Sequence, residues 1–188
     1  MTLANYNDKT LIANILTRSF ENNQSVNYIV KQDRKRMKRI RALMAYAFDV
    51  CYLHGKVFLS EDKKACALIL IPDRKKATLR SMLLDMKLVF SCTGIGNVKK
   101  AIDREAKIKR LHPKEPMYYL WFIGVDPLHQ KTGIGTALLN DIIEDAHQDS
   151  RTIFLETSTS INLPWYEKNG FSRYNELDLG YKLFFLKR

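Results

Sequence analysis

The sequence has little of what punctuates or cross-links a chain. Five prolines and eight glycines in 188 residues exclude a collagen-like or low-complexity protein. Three cysteines, Cys51, Cys66 and Cys92, are an odd number with no metal-like spacing. That excludes a disulfide framework and predicts reduced thiols in a cytoplasmic protein. No apolar run approaches the ~20 residues a membrane span needs, so no membrane partner is expected. The opening Met1-Thr2-Leu3-Ala4-Asn5-Tyr6 lacks a basic stretch followed by an apolar one, so no signal peptide is visible. His54, His112, His129 and His147 share no ligand spacing, and no metal is expected. Acidic residues are the scarcer sign: 20 Asp and Glu stand against 31 Lys and Arg, a net charge of +11.

What is present is an ordinary globular composition, 46% hydrophobic, which argues against disorder. The length suits one domain spanning residues 1–188, with a helical insertion at about 73–116. The charge is uneven. Residues 117–188 hold 7 basic and 9 acidic side chains, and residues 1–116 hold the other 24 and 11. The densest basic run, Lys31 to Arg41, has two readings: solvated helix faces, or an anion-binding surface for nucleic acid. Met37, Ile40, Met44, Phe48 and Cys51 recur at three- and four-residue spacing, which gives one apolar helix face and favours the first reading.

Periodicity sketches the rest. Asp8 to about Phe20 reads as a short amphipathic helix. Asp33 to Leu53 reads as a long one, ended by His54-Gly55 with glycine as the stop. Lys56–Ser60 and Ala65–Ile71 read as a hairpin. Leu79, Met82, Leu83, Met86 and Phe90 have helical spacing, and about 97–110 forms another, basic, helix. Tyr118–Val125 is apolar without alternation, as in a strand covered on both faces. A helix follows from Gly133 to about Gln148, then a strand at Thr152–Thr157. Pro164 opens a short helix that ends at Asn169-Gly170, and a hairpin turns around Asp178-Leu179-Gly180. The order predicts an α/β fold, a mixed sheet domain.

The strongest chemical signal is Val125-Asp126-Pro127-Leu128-His129-Gln130-Lys131-Thr132-Gly133-Ile134-Gly135-Thr136. A strand leads into a glycine-containing loop, and a helix leaves it. The first turn of such a helix has unpaired N–H groups and the positive end of the helix dipole. Glycines there let a pyrophosphate approach the backbone. The loop lacks the Gly-Lys-Ser/Thr end of a Walker loop and the third glycine of the dinucleotide fingerprint. Thr-Gly-Ile-Gly also occurs at 93–96, after a helical pattern rather than a strand, where a plain turn between helices is expected.

Gln130-Lys131-Thr132-Gly133-Ile134-Gly135 resembles the Gln/Arg-x-x-Gly-x-Gly/Ala acetyl-CoA loop of the GNAT N-acetyltransferases. Asn162-Leu163-Pro164-Trp165-Tyr166-Glu167-Lys168-Asn169-Gly170-Phe171 fits the same superfamily. From His112 onward the chain more narrowly resembles the puromycin N-acetyltransferases, through Gly124-Val125, His129-Gln130, Leu155-Glu156-Thr157-Ser158 and Asn162-Leu163-Pro164. Thr132 departs from the pattern, since relatives usually carry a basic residue there; Lys131 stands beside it.

The resemblance implies an acetyl-CoA-dependent N-acetyltransferase that acetylates a primary amine, with a small molecule as acceptor and direct attack in a ternary complex. The fold it implies is a mixed, mostly antiparallel central sheet flanked by helices, in which the strand ending at Val125 would splay from the strand at 152–157 and the pantetheine arm would bond the backbone of Ile123 and Val125. The N–H groups of Gln130, Lys131, Thr132, Gly133, Ile134, Gly135 and Thr136 would hold the pyrophosphate. Tyr166 would protonate the departing thiolate, since a phenol's pKa of ~10 lies above a thiol's ~8.5. Glu156 could accept the ammonium proton, or could instead be a structural or substrate-orienting carboxylate. Asn162 would contact the cofactor or cap a helix. A protein or peptide acceptor is the alternative, and a non-catalytic CoA- or nucleic-acid-binding module the more distant one. Nucleic acid is not the expected partner, and both monomer and homodimer stay open.

Overall fold

The central strands are apolar at nearly every position because helices cover both faces of their sheet. In the computed structural model, which describes residues 1–75 and 97–188 together with Leu83, Met86, Leu88 and Cys92, seven strands form one sheet. They are β1 (Thr2–Leu3), β2 (Gly55–Leu59), β3 (Ala65–Leu70), β4 (Met117–Val125), β5 (Thr152–Thr157), β6 (Ser172–Asp178) and β7 (Lys182–Lys187). Their order is β1-β2-β3-β4-β5-β7-β6. Only the central β4–β5 pair is parallel, so the expected mixed, mostly antiparallel sheet is what forms.

Helices α1 (Lys9–Ser19), α2 (Gln24–Ile29) and α3 (Arg36–His54) lie on one face. Their Ile12, Leu16, Val26, Met44 and Phe48 pack with Val57, Leu59, Cys66 and Leu68 of the hairpin. Helices α5 (Ile134–Gln148) and α6 (Leu163–Lys168) lie on the other face, against Phe58, Ala67, Ile69 and Leu186. Neighbouring strand residues thus feed opposite cores, as the two-residue period demands. Helix α4 (Val98–Leu111) places Ile108 against Leu183 and Phe185 of β7. The helix expected over Leu79–Phe90 and the turn expected at Thr93–Gly96 fall largely or wholly outside the described residues, within the stretch read as an insertion.

Strand β4 is irregular at two places. Leu68 pairs with Phe122 and Ile69 with Leu120, so Trp121 is an extra, bulged residue. A bulge flips the alternation. Tyr118 and Leu120 face the α5 core, whereas Phe122 joins the α1–α3 core. Beyond it, Gly124 meets α1: a Cβ there would lie 2.9 Å from Leu16 Cδ2 and 3.1 Å from Ser19 Oγ. The missing side chain lets the end of α1 sit on the strand, where the Ser19 hydroxyl donates to the Val125 carbonyl at 2.6 Å.

The basic run is partly structural. Arg39 grips Asp33 through Nε at 3.0 Å and Nη2 at 2.7 Å and holds the Asp33 pKa down at about 2. Arg36 donates to the Glu21 carbonyl at 2.7 Å. Arg34, Lys35, Lys38 and Arg41 are exposed. Helix α3 starts at Arg36 rather than Asp33, because the Asp33 carboxylate accepts the Lys35 N–H at 2.9 Å and turns the chain before the helix.

Gly55 has a different reason from the one its position suggests. It is extended, at φ −164°, and opens β2 rather than capping α3 in a left-handed turn. A Cβ at Gly55 would lie 1.9 Å from the Ile69 carbonyl oxygen, so only glycine allows that approach. Gly180 is the opposite case, with φ +83° and open space around its Cβ position. Gly55→Ala should therefore destabilise the fold by at least about 3 kcal/mol, the upper end of ordinary overpacking. Gly180→Ala should cost about 1–2 kcal/mol, from left-handed backbone alone. Urea denaturation of the two variants beside the parent protein checks the ranking.

Candidate active site

The site begins where two strands part. Strands β4 and β5 pair at Met117–Thr152, Tyr118–Ile153 and Tyr119–Phe154, and no further. Beyond those residues β4 keeps pairing with β3 as far as Val125, and β5 with β7 as far as Thr157. A wedge opens between them. The Asp126 N–H donates to the Lys64 carbonyl at 2.8 Å, on the β3 side. Antiparallel alternation then turns the backbone groups of Ile123 and Val125 the other way, onto the open edge. The Val125 carbonyl already accepts from Ser19 and, at 3.3 Å, from the Gln130 side chain. Its N–H is left facing the wedge.

The loop after β4 closes one end. Asp126 accepts from the Leu128 N–H at 3.2 Å and pairs with Arg18, which fixes the exit from the strand. Thr132 Oγ donates to the His129 carbonyl at 2.7 Å. Lys131 at φ +63° and Gly133 at φ +88° are both left-handed, and they turn the chain into α5. The Ala137 N–H reaches the Gly133 carbonyl at 3.0 Å, so the helix ladder starts there. By hydrogen-bond geometry the N–H groups of Gly133, Ile134, Gly135 and Thr136 donate to no described residue. Nothing lies within 4 Å of a Cβ built on Gly133, whereas one on Gly135 would meet Val125 Cγ2 at 3.2 Å. The result is an open, unfilled cradle of amide donors at a helix start, which suits a pyrophosphate.

Helix α6 closes the other side. Trp165 Nε1 donates to Thr136 Oγ1 at 3.0 Å, tying α6 to the first turn of α5. Tyr166 follows, only 6% exposed, with its ring 4.7 Å from Trp165 and 5.5 Å from Phe171. Burial pushes its phenol well above the ordinary value. Among the described residues nothing bonds its hydroxyl. Asn162 occupies the helix N-cap position, but its side chain makes no capping bond and stays exposed at the wedge. The capping alternative for Asn162 therefore finds no support in the geometry.

Tyr166, Glu156, Ile123 and Asn162 all line one cavity of about 620 Å³ that runs from the wedge to α2 and α4. The Glu156 side chain has two neighbours that sequence spacing did not reveal. His112, at the end of α4, lies with Nε2 2.5 Å from Oε1, and the Tyr119 hydroxyl bonds Oε2. A carboxylate only accepts, so both neighbours donate. Burial and the Glu156 charge together raise the Tyr119 phenol far above its usual range, so it stays a donor. Lys131 and Thr132 are exposed on the loop, away from this trio. The three cysteines are buried, and burial lifts their thiols, Cys92 to about 12. They are poor nucleophiles. Among the described residues no cluster has the makings of a metal site.

Known proteins share both sequence and fold with this chain. Residues 93–173 match the family described as acetyltransferase (GNAT) domain. The S-(2-succino)cysteine N-acetyltransferase of Bacillus subtilis is 37% identical over 67 residues, 33% of this chain; the match spans 41% of that enzyme's length. A Corynebacterium glutamicum protein described as histone acetyltransferase HPA2 and related acetyltransferase superposes with a TM-score of 0.71 at 20% identity, covering 99% of this chain and 93% of that one. An N-acetyltransferase from Staphylococcus aureus gives 0.60 at 17% identity, covering 99% and 98%. At such identities the solved structures speak for the fold. The comparisons carry the superfamily and not the narrower puromycin resemblance. With the splayed strands and the amide cradle, the matched sequence leads to one conclusion: residues 93–173 of the chain match a GNAT acetyltransferase domain.

Proposed function

We propose that this protein transfers the acetyl group of acetyl-CoA to the primary amine of a small molecule. The observation that carries this reading is a convergence. An open strand edge at Ile123, the Tyr166 phenol and the Glu156 carboxylate share one cavity, and a cradle of free amides stands at the start of α5, to which Trp165, beside Tyr166, is bonded through Thr136. Similarity to an enzyme whose acceptor is a small molecule supports the acceptor class.

The residues divide the work by their chemistry. The free N–H groups of Gly133 to Thr136, with those of Gln130 to Thr132 before them, hold the pyrophosphate, and Lys131 adds a positive charge. The open edge at Ile123 and Val125 binds the pantetheine arm as a neighbouring strand would, with Asn162 beside it. The donor supplies an activated acetyl thioester. The amine's lone pair attacks its carbonyl carbon, and the Val125 N–H faces the place where negative charge develops on oxygen. The carbon–sulfur bond breaks, and Tyr166 gives its proton to the departing thiolate. Glu156 accepts the proton that the new ammonium must lose, with His112 and Tyr119 steadying it.

An amine panel with acetyl-CoA, read by free thiol release, tests the reading; CoA binding without any amine-dependent release would sink it. Tyr166→Phe should lower kcat by about 100-fold or more, the lower range of general-acid contributions, with acetyl-CoA affinity nearly unchanged. Since burial raises the Tyr166 phenol above its ordinary ~10, the pH–rate profile should show no alkaline fall from this group below about pH 9. Gly133→Glu should do the reverse of Tyr166→Phe. A side chain forced to a left-handed backbone, with a carboxylate over the cradle, should weaken acetyl-CoA binding at least about tenfold, measured by calorimetry.

A further inference from the structure

We infer that Arg104 is the anchor for a carboxylate on the acceptor, so that the acceptor is an amino-acid-like molecule with a primary amine, a carboxylate and an apolar body. This rests on the acetyl-transfer reading and narrows its substrate class.

Arg104 stands on α4 and lines the same cavity as Glu156. Its Nε donates to the Tyr181 hydroxyl at 3.0 Å, and its Nη2 to Ser25 Oγ at 2.5 Å. The Tyr181 hydroxyl in turn reaches Ser25 Oγ at 3.3 Å. These partners aim the guanidinium without neutralising it, and it has more N–H donors than two hydroxyls can take. Other arginines of similar burial are matched by acids. Arg151 holds both oxygens of Asp73 at 2.7 Å, and Arg39 grips Asp33. Among the described residues no carboxylate pairs with Arg104; its neighbour Glu105 leans to Lys109 at 3.8 Å. A half-buried, oriented cation without a counter-ion is an unfinished pair. A carboxylate completes it, because the planar fork matches two oxygens.

The rest of the wall fits the same molecule. Glu156 supplies a negative site on the wall of the same cavity, held by the Tyr119 hydroxyl. A zwitterion laid between them places its ammonium by Glu156 and its carboxylate by Arg104. Phe20, Val26, Leu43 and Trp121 line the space beside them and offer contact to an apolar side chain. Lys75 and Lys109 add further cations to the wall, and Glu105, which leans to Lys109, a second carboxylate.

The test compares leucine, methionine and phenylalanine with their primary carboxamides as acceptors, using the full chain and acetyl-CoA. The parent protein should favour the acids by at least tenfold in kcat/KM, although the amide is the less protonated and intrinsically readier amine. Arg104→Ala should erase that preference by lowering turnover of the acids alone, and Arg104→Lys should restore only part of it. The KM for acetyl-CoA should hold in both variants, which also reports that they fold. Equal use of acids and amides by the parent, or an equal loss for both in Arg104→Ala, overturns the inference. So does a rise in acetyl-CoA KM alone, which would move Arg104 to the donor. Binding of the N-acetyl amino acids in the presence of CoA, by calorimetry, separates the two proposals. Binding that Arg104→Ala abolishes, without turnover of any amine, keeps the anchor and defeats the acetyl-transfer reading; no binding and no turnover defeats both.

Discussion

A parallel strand pair that holds for three residues and then opens organises this protein. Each strand keeps its outer partner, so the opening cannot collapse without breaking β3–β4 or β5–β7 pairing. Backbone groups on the inner edges are left without a sheet partner, a cost that water or a strand-like ligand must meet. The bulge at Trp121 and the close seat of α1 on Gly124 lie on the strand that borders the opening. They turn Phe122 toward α1 while keeping the Ile123 and Val125 backbone on the free edge. The amide cradle then follows from chain continuity, since the short loop from Asp126 to Gly133 joins the end of β4 to the start of α5.

Electrostatics divides along the same line. The half that carries the cradle is the less basic one, with 7 basic against 9 acidic side chains. What that half offers an anion is therefore backbone N–H groups and the helix dipole, with Lys131 as the nearby charge. The basic excess lies in residues 1–116. Much of it is solvated or tied to Asp33 and Glu21. Arg104 stands apart because neutral hydroxyls orient it within the cavity wall. On the same cavity wall, Glu156 is held by His112 and Tyr119. A cavity wall that holds both an oriented guanidinium and a held carboxylate favours charge separation in its ligand, beyond what apolar contact provides.

Sequence periodicity located nearly every long element within a residue or three, because apolar spacing and turn residues act locally. It missed β1 and α2. Two strand residues carry no periodic signal, and Asn23, read only as a stop, caps α2 by accepting the Val26 N–H at 3.0 Å. It also placed Met37 on the buried face of α3, where that side chain is 36% exposed. The first turn of the helix projects beyond the core that buries Ile40 and Met44.

The sequence by itself determined the order of strands and helices and the glycine loop between β4 and α5, since each rests on neighbours a few residues apart; Tyr166 and Glu156 stood out through the family resemblance. Only the tertiary structure decided what surrounds them. His112 and Tyr119 reach Glu156 across 44 and 37 residues, and Arg104 reaches Ser25 and Tyr181 across 79 and 77. No local spacing encodes such meetings. They arise because α4 packs on β7 while β4 and β5 diverge, which brings distant polar groups to one wall and leaves the space between them open.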